Sequence, residues 1–268
     1  MAGNNTGLQH LLEKIYNEHG FDFRGYKETT LTRRLDRRLQ AQGVKTYADY
    51  THILDQDPAE YDRLFNDLTI KVSGFFRDDV AFRALERVVL PVLTSRAEKS
   101  IRIWSAGCAT GEEPYSIAIL LLEMLGAKIN RWDISIWGTD VDDKALDSAR
   151  KGWFILKEME GIHQLWLNKY FTPEDSGFRI HQLIKQLVIF EKHNLTSDPP
   201  HFDLDLVVCR NVLIYFAPAL QTQVLKSFHS GLKDEGFLLL GKAETPAGKT
   251  KAIFSPIDTR AKLFQKAV

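Results

Sequence analysis

The residues best suited to chemistry lie in residues 101–118, I-R-I-W-S-A-G-C-A-T-G-E-E-P-Y-S-I-A, where an apolar strand passes directly into a helix. Gly107 and Gly111 leave the backbone N–H groups of this turn open to a ligand. Glu112 and Glu113 follow, and carboxylates repel a pyrophosphate but suit ribose hydroxyls or a cation. The pattern favours a cationic nucleotide cofactor without phosphates, of which S-adenosylmethionine (SAM) is the commonest. An ordinary strand-to-helix turn is the alternative.

Polar residues also follow two other predicted strands. Asp140 ends the run W-G-T-D, a position from which doubly wound folds commonly hold a ribose, although a turn or cap role fits the residue alone. A pairing with Glu113 strengthens the ribose interpretation. Arg210, Asn211 and Tyr215 come just after the apolar run L-D-L-V-V-C, where open α/β sheets bind ligands.

The elements that must position these residues alternate between strands and helices. Five short apolar runs predict a mainly parallel sheet with helices on both faces, a Rossmann-like α/β domain. These runs are residues 100–105, 134–139, 188–191, 204–209 and 237–241. The alternation lapses at about 153–186, which predicts an inserted subdomain.

Residues 1–70 show helical periodicity only and predict a small all-α domain ahead of the domain at 71–268. Within residues 30–40, T-L-T-R-R-L-D-R-R-L-Q, the three leucines share one arc of a helix. The remaining flank carries four arginines: Arg33, Arg34, Arg37 and Arg38. Such a run of charged residues is usually a solvent-exposed helix face. The alternative is a surface that binds an acidic helical partner.

Composition narrows the classes of partner. The chain has 268 residues, with 35 basic and 35 acidic side chains. Because its formal net charge is zero, we expect no overall electrostatic attraction to nucleic acid. Cys108 and Cys209 form no disulfide framework and suit a reducing compartment. The histidines lack H-E-x-x-H or C-x-x-C companions, so no metal is expected. With no signal sequence and no apolar run of membrane length, we expect a cytoplasmic protein without membrane insertion.

Four motifs in register resemble the CheR family of SAM-dependent chemoreceptor glutamate methyltransferases. They are L-T-x-x-x-S-x-F-F-R-D, W-S-A-G-C-A-T-G-E-E-P-Y-S-I-A, G-T-D-V-D and C-R-N-V-L-I-Y-F. The resemblance spans nearly the whole chain. It implies a class I SAM-dependent methyltransferase sheet with an all-α N-terminal domain and a small inserted β subdomain. The implied activity is methyl transfer from SAM to receptor glutamates, which leaves glutamate methyl esters and S-adenosylhomocysteine (SAH).

The same resemblance implies roles for individual residues. Expected cofactor contacts are Ser73, Arg77, Gly107, Glu113, Asp140, Asn194, Leu195, Asn211 and Val212. Arg77 and Tyr215 match the two residues that the family is thought to use on the substrate, so both are expected to be catalytic. The four arginines of the basic helix are expected to bind the cytoplasmic receptor helix that presents the glutamates.

Two departures from the family pattern carry expectations of their own. Many relatives have T-N-x-T before F-F-R, whereas this chain has I-K-V-S at 70–73, so Lys71 replaces an asparagine contact to SAM. The insert is also short at 171–178 and lacks the longer glycine-flanked turn of relatives that grip a receptor's C-terminal pentapeptide. We therefore expect no pentapeptide tether.

Three other functions compete with receptor methylation. The chain could methylate another carboxylate or a small molecule, but the F-F-R linker and the basic helix argue against this. It could bind SAM as a non-catalytic module, which the retention of Arg77 and Tyr215 disfavours. An NAD-linked oxidoreductase is disfavoured by Glu112 and Glu113 at the turn.

Overall fold

The computed structural model describes residues 2–68 and 73–267 and divides into two compact units. The first contains the N-terminal helices together with Tyr215–Gln221, and the second contains the rest of the described chain. Lys71, the departure noted in the linker, lies outside the described residues.

The first unit is all-α, as predicted. Its helices are α1 (Ala2–His19), α2 (Glu28–Ala41), α3 (Tyr47–Gln56) and α4 (Pro58–Leu68). The three leucines of the basic helix, Leu31, Leu35 and Leu39, are buried along one face of α2. Thr46 caps α3 by accepting a hydrogen bond from the Asp49 N–H (3.1 Å).

A short segment far along the chain completes this unit. The Lys27 N–H donates to the Tyr215 carbonyl (2.8 Å), and the Ala217 N–H donates to the Gly25 carbonyl (2.9 Å). The rings of Tyr26 and Phe216 meet edge to face with centroids 4.9 Å apart. The boundary predicted at residue 70 did not include this segment.

The second unit alternates strands and helices. Its strands are β1 (Ser100–Ala106), β2 (Asp133–Asp140), β3 (Trp153–Ile155), β4 (Phe171–Glu174), β5 (Gly177–Ile180), β6 (Val188–Lys192), β7 (Leu204–Cys209), β8 (Leu232–Leu240), β9 (Phe254–Asp258) and β10 (Leu263–Lys266). Its helices are α5 (Asp79–Ala84), α6 (Leu90–Ser95), α7 (Glu112–Leu125), α8 (Asp143–Lys151), α9 (Gln164–Tyr170), α10 (Gln182–Lys185) and α11 (Pro218–Gly231, whose first turn groups with the first unit).

A seven-stranded sheet has the order β6-β2-β1-β7-β8-β10-β9. The first five of these strands are parallel, and all five predicted apolar runs lie in them, so the α/β prediction is confirmed. The two C-terminal strands are antiparallel and were not predicted. Because β1 and β2 pair in register up to Ala106 and Thr139, the loops that follow them open at one edge of the sheet.

The inserted segment forms its own three-stranded antiparallel sheet, β3-β5-β4. It packs on the linker that precedes α5, since the Phe75 ring lies 4.8 Å from that of Phe154 and 5.3 Å from that of Phe171. In the described part of the chain, every helix is too short or too polar to cross a membrane.

Candidate active site

The turn after β1 requires a glycine at its first position. Gly107 has φ +78°, and an added Cβ there would lie 2.4 Å from Cγ2 of Val212. The N–H groups of Gly107 and Cys108 both donate to the Thr139 carbonyl (2.8 and 2.9 Å), which fixes the turn against β2. The structure thus brings together two residues of the predicted cofactor set, Gly107 and Val212.

Asp140 joins the loops after β1 and β2. Its Oδ2 accepts from the Ala109 N–H (2.9 Å) and its Oδ1 accepts from the Asp142 N–H (3.0 Å). Burial raises the pKa of Asp140, although these N–H groups oppose the rise. A carboxylate has about four acceptor positions, so further positions remain for the hydroxyls of a ligand.

Glu113 lies in the first turn of α7 with its carboxylate between two donors. Oε1 accepts from the Ser105 hydroxyl (2.8 Å), and Oε2 accepts from Nη1 of Arg210 (3.2 Å). Burial raises the pKa of Glu113, and the charges of Arg210 and Arg77 only partly oppose that rise. This partly buried acid suits a hydroxyl or a cationic ligand.

Glu112 is separate from Glu113 in its contacts. Its carboxylate accepts from the Thr110 hydroxyl (2.8 Å) and is also hydrogen-bonded to Ser73 of the linker. Its main-chain carbonyl accepts from the Ser116 hydroxyl (2.6 Å), whose oxygen in turn accepts from the Phe76 N–H (3.0 Å). Glu112 therefore attaches the linker to α7.

Arg210 connects the linker to Glu113. Its side chain is buried, its Nη2 donates to the main-chain carbonyl of Arg77 (2.7 Å), and it lies 3.4 Å from the Asp78 carboxylate. Its guanidinium also lies over the Phe82 ring, 5.4 Å from the centroid. The sequence placed Arg210 at a strand end but assigned it no role. The Arg77 side chain itself is exposed.

The loop after β7 is held by a residue that the sequence did not single out. The N–H groups of Asn211 and Ile214 donate to the buried Glu244 carboxylate (3.0 and 3.2 Å). Asn211 adopts φ +63° within this loop. Glu244 follows β8, more than thirty residues further along the chain, and no local pattern marks it.

Two of the expected cofactor contacts, Asn194 and Leu195, follow β6. The His193 N–H donates to the Asp140 carbonyl (3.0 Å), which joins this loop to the end of β2. Asn194 builds a turn, since its Oδ1 accepts from the Thr196 N–H (3.0 Å) and hydroxyl (2.8 Å). Leu195 is half-buried beside it.

Tyr215 groups with the first unit rather than with the residues above. Its ring lies 5.7 Å from the guanidinium carbon of Arg34. Arg34 is buried and donates to the carbonyls of Asp67 (2.5 Å) and Leu68 (3.0 Å) at the end of α4. Arg34 is therefore used inside the unit.

Only two of the four arginines predicted on the basic flank of α2 are exposed. Arg38 donates from Nε (2.9 Å) and Nη2 (2.6 Å) to the fully buried Glu60, so it too is used internally. Arg33 and Arg37 are exposed. The prediction that Arg34 and Arg38 also face a partner is corrected, because their side chains reach groups of α4.

Comparison with known proteins assigns both parts of the chain. A family model described as the all-alpha domain of CheR methyltransferase matches residues 6–69, and the SAM binding domain of the same family matches residues 71–263. Chemotaxis protein methyltransferases of Borreliella burgdorferi and Salmonella typhimurium are 31% and 32% identical, over 90% and 91% of this chain and 88% and 85% of theirs. An uncharacterized 104.1 kDa protein of Rhodobacter capsulatus is 35% identical over 91% of this chain, which spans 26% of that relative.

The match to a SAM-binding domain confirms the expected cofactor. The residues present also fit SAM, because the glycine turn allows close approach and two partly buried carboxylates, Glu113 and Asp140, retain acceptor positions. The class I methyltransferase fold expected for this domain is likewise confirmed, together with the all-α domain that precedes it.

Proposed function

Because the chain belongs to the CheR methyltransferase family, we propose that it methylates glutamate side chains in the cytoplasmic helical region of chemoreceptors. That it is a SAM-dependent methyltransferase follows from the family itself; the glutamate acceptor is the proposal. The observation that carries it is the Arg210 bridge, which attaches the Arg77 main chain to the Glu113 carboxylate. Under this proposal the bridge would hold the exposed Arg77 side chain near Glu113, whose pKa the Arg77 charge acts to lower.

Residues of the second unit would hold the cofactor. Glu113 and Asp140 would accept hydrogen bonds from the adenosine part, and Asn194 and Leu195 would line the adenine. A second group, drawn from the linker and two turns, would contact the remainder of the molecule: Ser73, Arg77, Gly107, Asn211 and Val212. When bound, SAM supplies a methyl group activated by a sulfonium charge.

The acceptor needs little help from an acid or base. A glutamate with a pKa near 4.3 is ionised about 500 to 1 at pH 7, so it reaches the site as a nucleophile. The protein must therefore align the carboxylate and exclude water rather than remove a proton. The pKa values of Glu113 and Asp140, both raised by burial, fit a site of low polarity.

Arg77 would orient the incoming carboxylate through its guanidinium fork, and Tyr215 would donate a hydrogen bond or shape the path of the methyl group. Arg77 stays protonated and cannot act as a base.

A charge-assisted bond of about 1.5–3 kcal/mol predicts that Arg77→Ala slows turnover roughly 10- to 150-fold while SAM affinity changes less. Arg83→Ala removes another exposed arginine as a control, and Tyr215→Phe tests the hydroxyl.

The exposed pair Arg33 and Arg37 would bind the acidic receptor helix. Tether independence is part of the proposal, supported by the tight turn between β4 and β5, in which two residues, Asp175 and Ser176, join the strands. Calorimetry with a receptor C-terminal pentapeptide tests this expectation. Micromolar binding would overturn it.

The deciding experiment is transfer of labelled methyl from SAM to a receptor cytoplasmic fragment, followed by mild base. Release of labelled methanol identifies a carboxyl methyl ester, and a fragment whose acceptor glutamates are changed to glutamine is the matched control and should take up no label. SAM binding without transfer would favour a different acceptor or a sensing module.

A further inference from the structure

We infer that Glu244 is a positioning residue that sets the conformation of the loop at 211–214. The inference rests on the proposed function in one respect, namely that Asn211 and Val212 contact SAM near its reactive end. Glu244 itself is directed at the main chain of the loop, so it acts on the reaction through Asn211 and Val212.

The Glu244 carboxylate collects main-chain donors from two segments. It accepts from the N–H groups of Gly241 (2.6 Å), Asn211 (3.0 Å) and Ile214 (3.2 Å), and a hydrogen bond from the Leu213 N–H adds to these. Both carboxylate oxygens take part. The side chain is 4% exposed, so water does not substitute for these donors.

The charge of Glu244 is balanced by peptide groups. Among the ion pairs of the described residues, none includes this carboxylate. A concave set of N–H groups around one anion is a recognised way to stabilise a buried charge. The peptide groups stabilise the carboxylate, and the carboxylate in turn holds four peptide groups from two separate turns in one orientation.

The conformation so held is one that the chain would not adopt freely. Asn211 has φ +63°, in the left-handed region that non-glycine residues seldom occupy. Its N–H is one of the donors to Glu244. Such a conformation persists where surrounding contacts determine it, and residues of this kind cluster at functional sites.

Gly241 permits the carboxylate to reach the loop. An added Cβ at Gly241 would lie 2.6 Å from Oε2 of Glu244 and 2.7 Å from the Asn211 nitrogen. The loop also meets the cofactor turn, since Val212 occupies the space that a Cβ at Gly107 would need. A shift of the loop therefore alters both turns that face the cofactor.

The experiment uses the full chain with Glu244→Gln, which keeps the side-chain shape but replaces one acceptor oxygen with a donor. Exchange of the main-chain amides at 211–214 and 241 should accelerate about tenfold, while exchange in β1 is unchanged. The kcat for methyl transfer should fall about 10- to 100-fold with KM for the receptor fragment unchanged, because misplacement of a contact by about 1 Å is sufficient for this loss. Glu235→Gln, an exposed glutamate on β8, is the control.

Two results overturn the inference. One is loop exchange and kcat equal to those of the control; the other is acceleration spread uniformly over all strands, which indicates a purely structural role. If Glu244→Gln does not fold, Gly241→Ala retains the carboxylate but displaces it from the loop, and should give the same localised exchange. If the wild-type chain does not methylate the receptor fragment, the proposed acceptor is wrong, and loop exchange together with SAH calorimetry still decides the role of Glu244.

Discussion

Carboxylates that are buried or partly buried meet opposite surroundings in the two units. In the helical unit, Glu60 is fully buried but accepts from two nitrogens of Arg38 and from the Tyr50 hydroxyl (2.7 Å). Burial alone would raise the pKa of Glu60, but the hydrogen bonds from Arg38 and Tyr50 outweigh burial and lower the pKa below its ordinary value. The charge of Glu60 is therefore fully paired.

In the second unit, which contains the candidate cofactor site and is called the cofactor unit below, burial outweighs the hydrogen bonds to the carboxylates. Burial raises the pKa of Asp140, Glu113 and Glu244, and the donors around them do not reverse it. Titratable groups with perturbed pKa values cluster at functional sites. The comparison teaches that the Glu60 charge is compensated within the fold, whereas Asp140 and Glu113, the carboxylates proposed to bind the cofactor, are less fully compensated.

The largest expected effect comes from breaking the paired carboxylate of the helical unit. Arg38→Met keeps much of the side-chain volume but leaves Glu60 buried without its main cation, so the free energy of unfolding of this unit should fall by about 3–5 kcal/mol. Arg37→Met removes an exposed arginine from the same helix and should change the free energy of unfolding by about 0.5 kcal/mol or less. Hydrogen exchange of the amides in α2 to α4 measures both. Equal effects of the two substitutions would contradict the comparison.

Removing a charge from the cofactor unit should affect binding instead. Asp140→Asn should weaken SAH binding about 10- to 150-fold, equivalent to a charge-assisted hydrogen bond of about 1.5–3 kcal/mol. Asp142→Asn is the matched control, because Asp142 caps α8 and asparagine caps a helix equally well. Calorimetry with SAH separates the two. Unchanged affinity in Asp140→Asn would remove the carboxylate charge from the cofactor site.

The carboxylates of the two units should make stability depend on pH in opposite directions. The lowered pKa of Glu60 means that its stabilising contribution is present above the ordinary value of 4.5 and is lost as pH falls through the lowered one. The raised pKa values of Asp140 and Glu113 mean that any stabilisation from their protonation is present at low pH and lost as pH rises through the raised value. The slope is at most about 1.4 kcal/mol per pH unit for each proton.

Hydrogen exchange measured from pH 7 to below the lowered pKa of Glu60, corrected for intrinsic rates, tests this opposition. Exchange in α2 to α4 should accelerate relative to exchange in the β1 and β2 strands as the pH falls. Parallel destabilisation of both units would show that the difference between their carboxylates does not control their stability.

The smallest expected effect concerns charges exposed to solvent. Arg33→Glu combined with Arg37→Glu should raise KM for a receptor fragment roughly 2- to 10-fold at low salt and less at high salt, because exposed pairs contribute about 0–1 kcal/mol each and are screened. Arg33→Lys with Arg37→Lys keeps the charge and should leave KM near the wild-type value. A loss that does not depend on salt would indicate misfolding.

Much of the fold was predictable because its signals are local. Apolar runs located the five parallel strands, and strand ends located Asp140 and Glu113, since each residue lies within a few positions of the pattern that marks it. The antiparallel strands β9 and β10 were missed because they are short, and Pro256 interrupts the first of them.

The contacts that were not predictable join distant parts of the chain. Helical periodicity places Arg34 and Arg38 beside the leucine face of α2 and Arg33 and Arg37 farther round the helix. It does not show what pairs with Arg34 and Arg38, because Glu60 and the terminal carbonyls of α4 come from a distant part of the chain. Glu244 was missed for the same reason, because its role depends on a loop after another strand.

The pairing of Tyr215–Gln221 with the helical unit has a consequence for protein synthesis. Domains often fold in order as the chain leaves the ribosome, N-terminal part first. Here the amide of Lys27 and the carbonyl of Gly25 must wait for Tyr215 and Ala217, which emerge only after most of the sheet has been translated. The helical unit, most of which precedes the sheet in the sequence, is thus completed only after much of the sheet has been made. A nascent chain that ends before Tyr215 would expose an incomplete helical unit to chaperones and proteases.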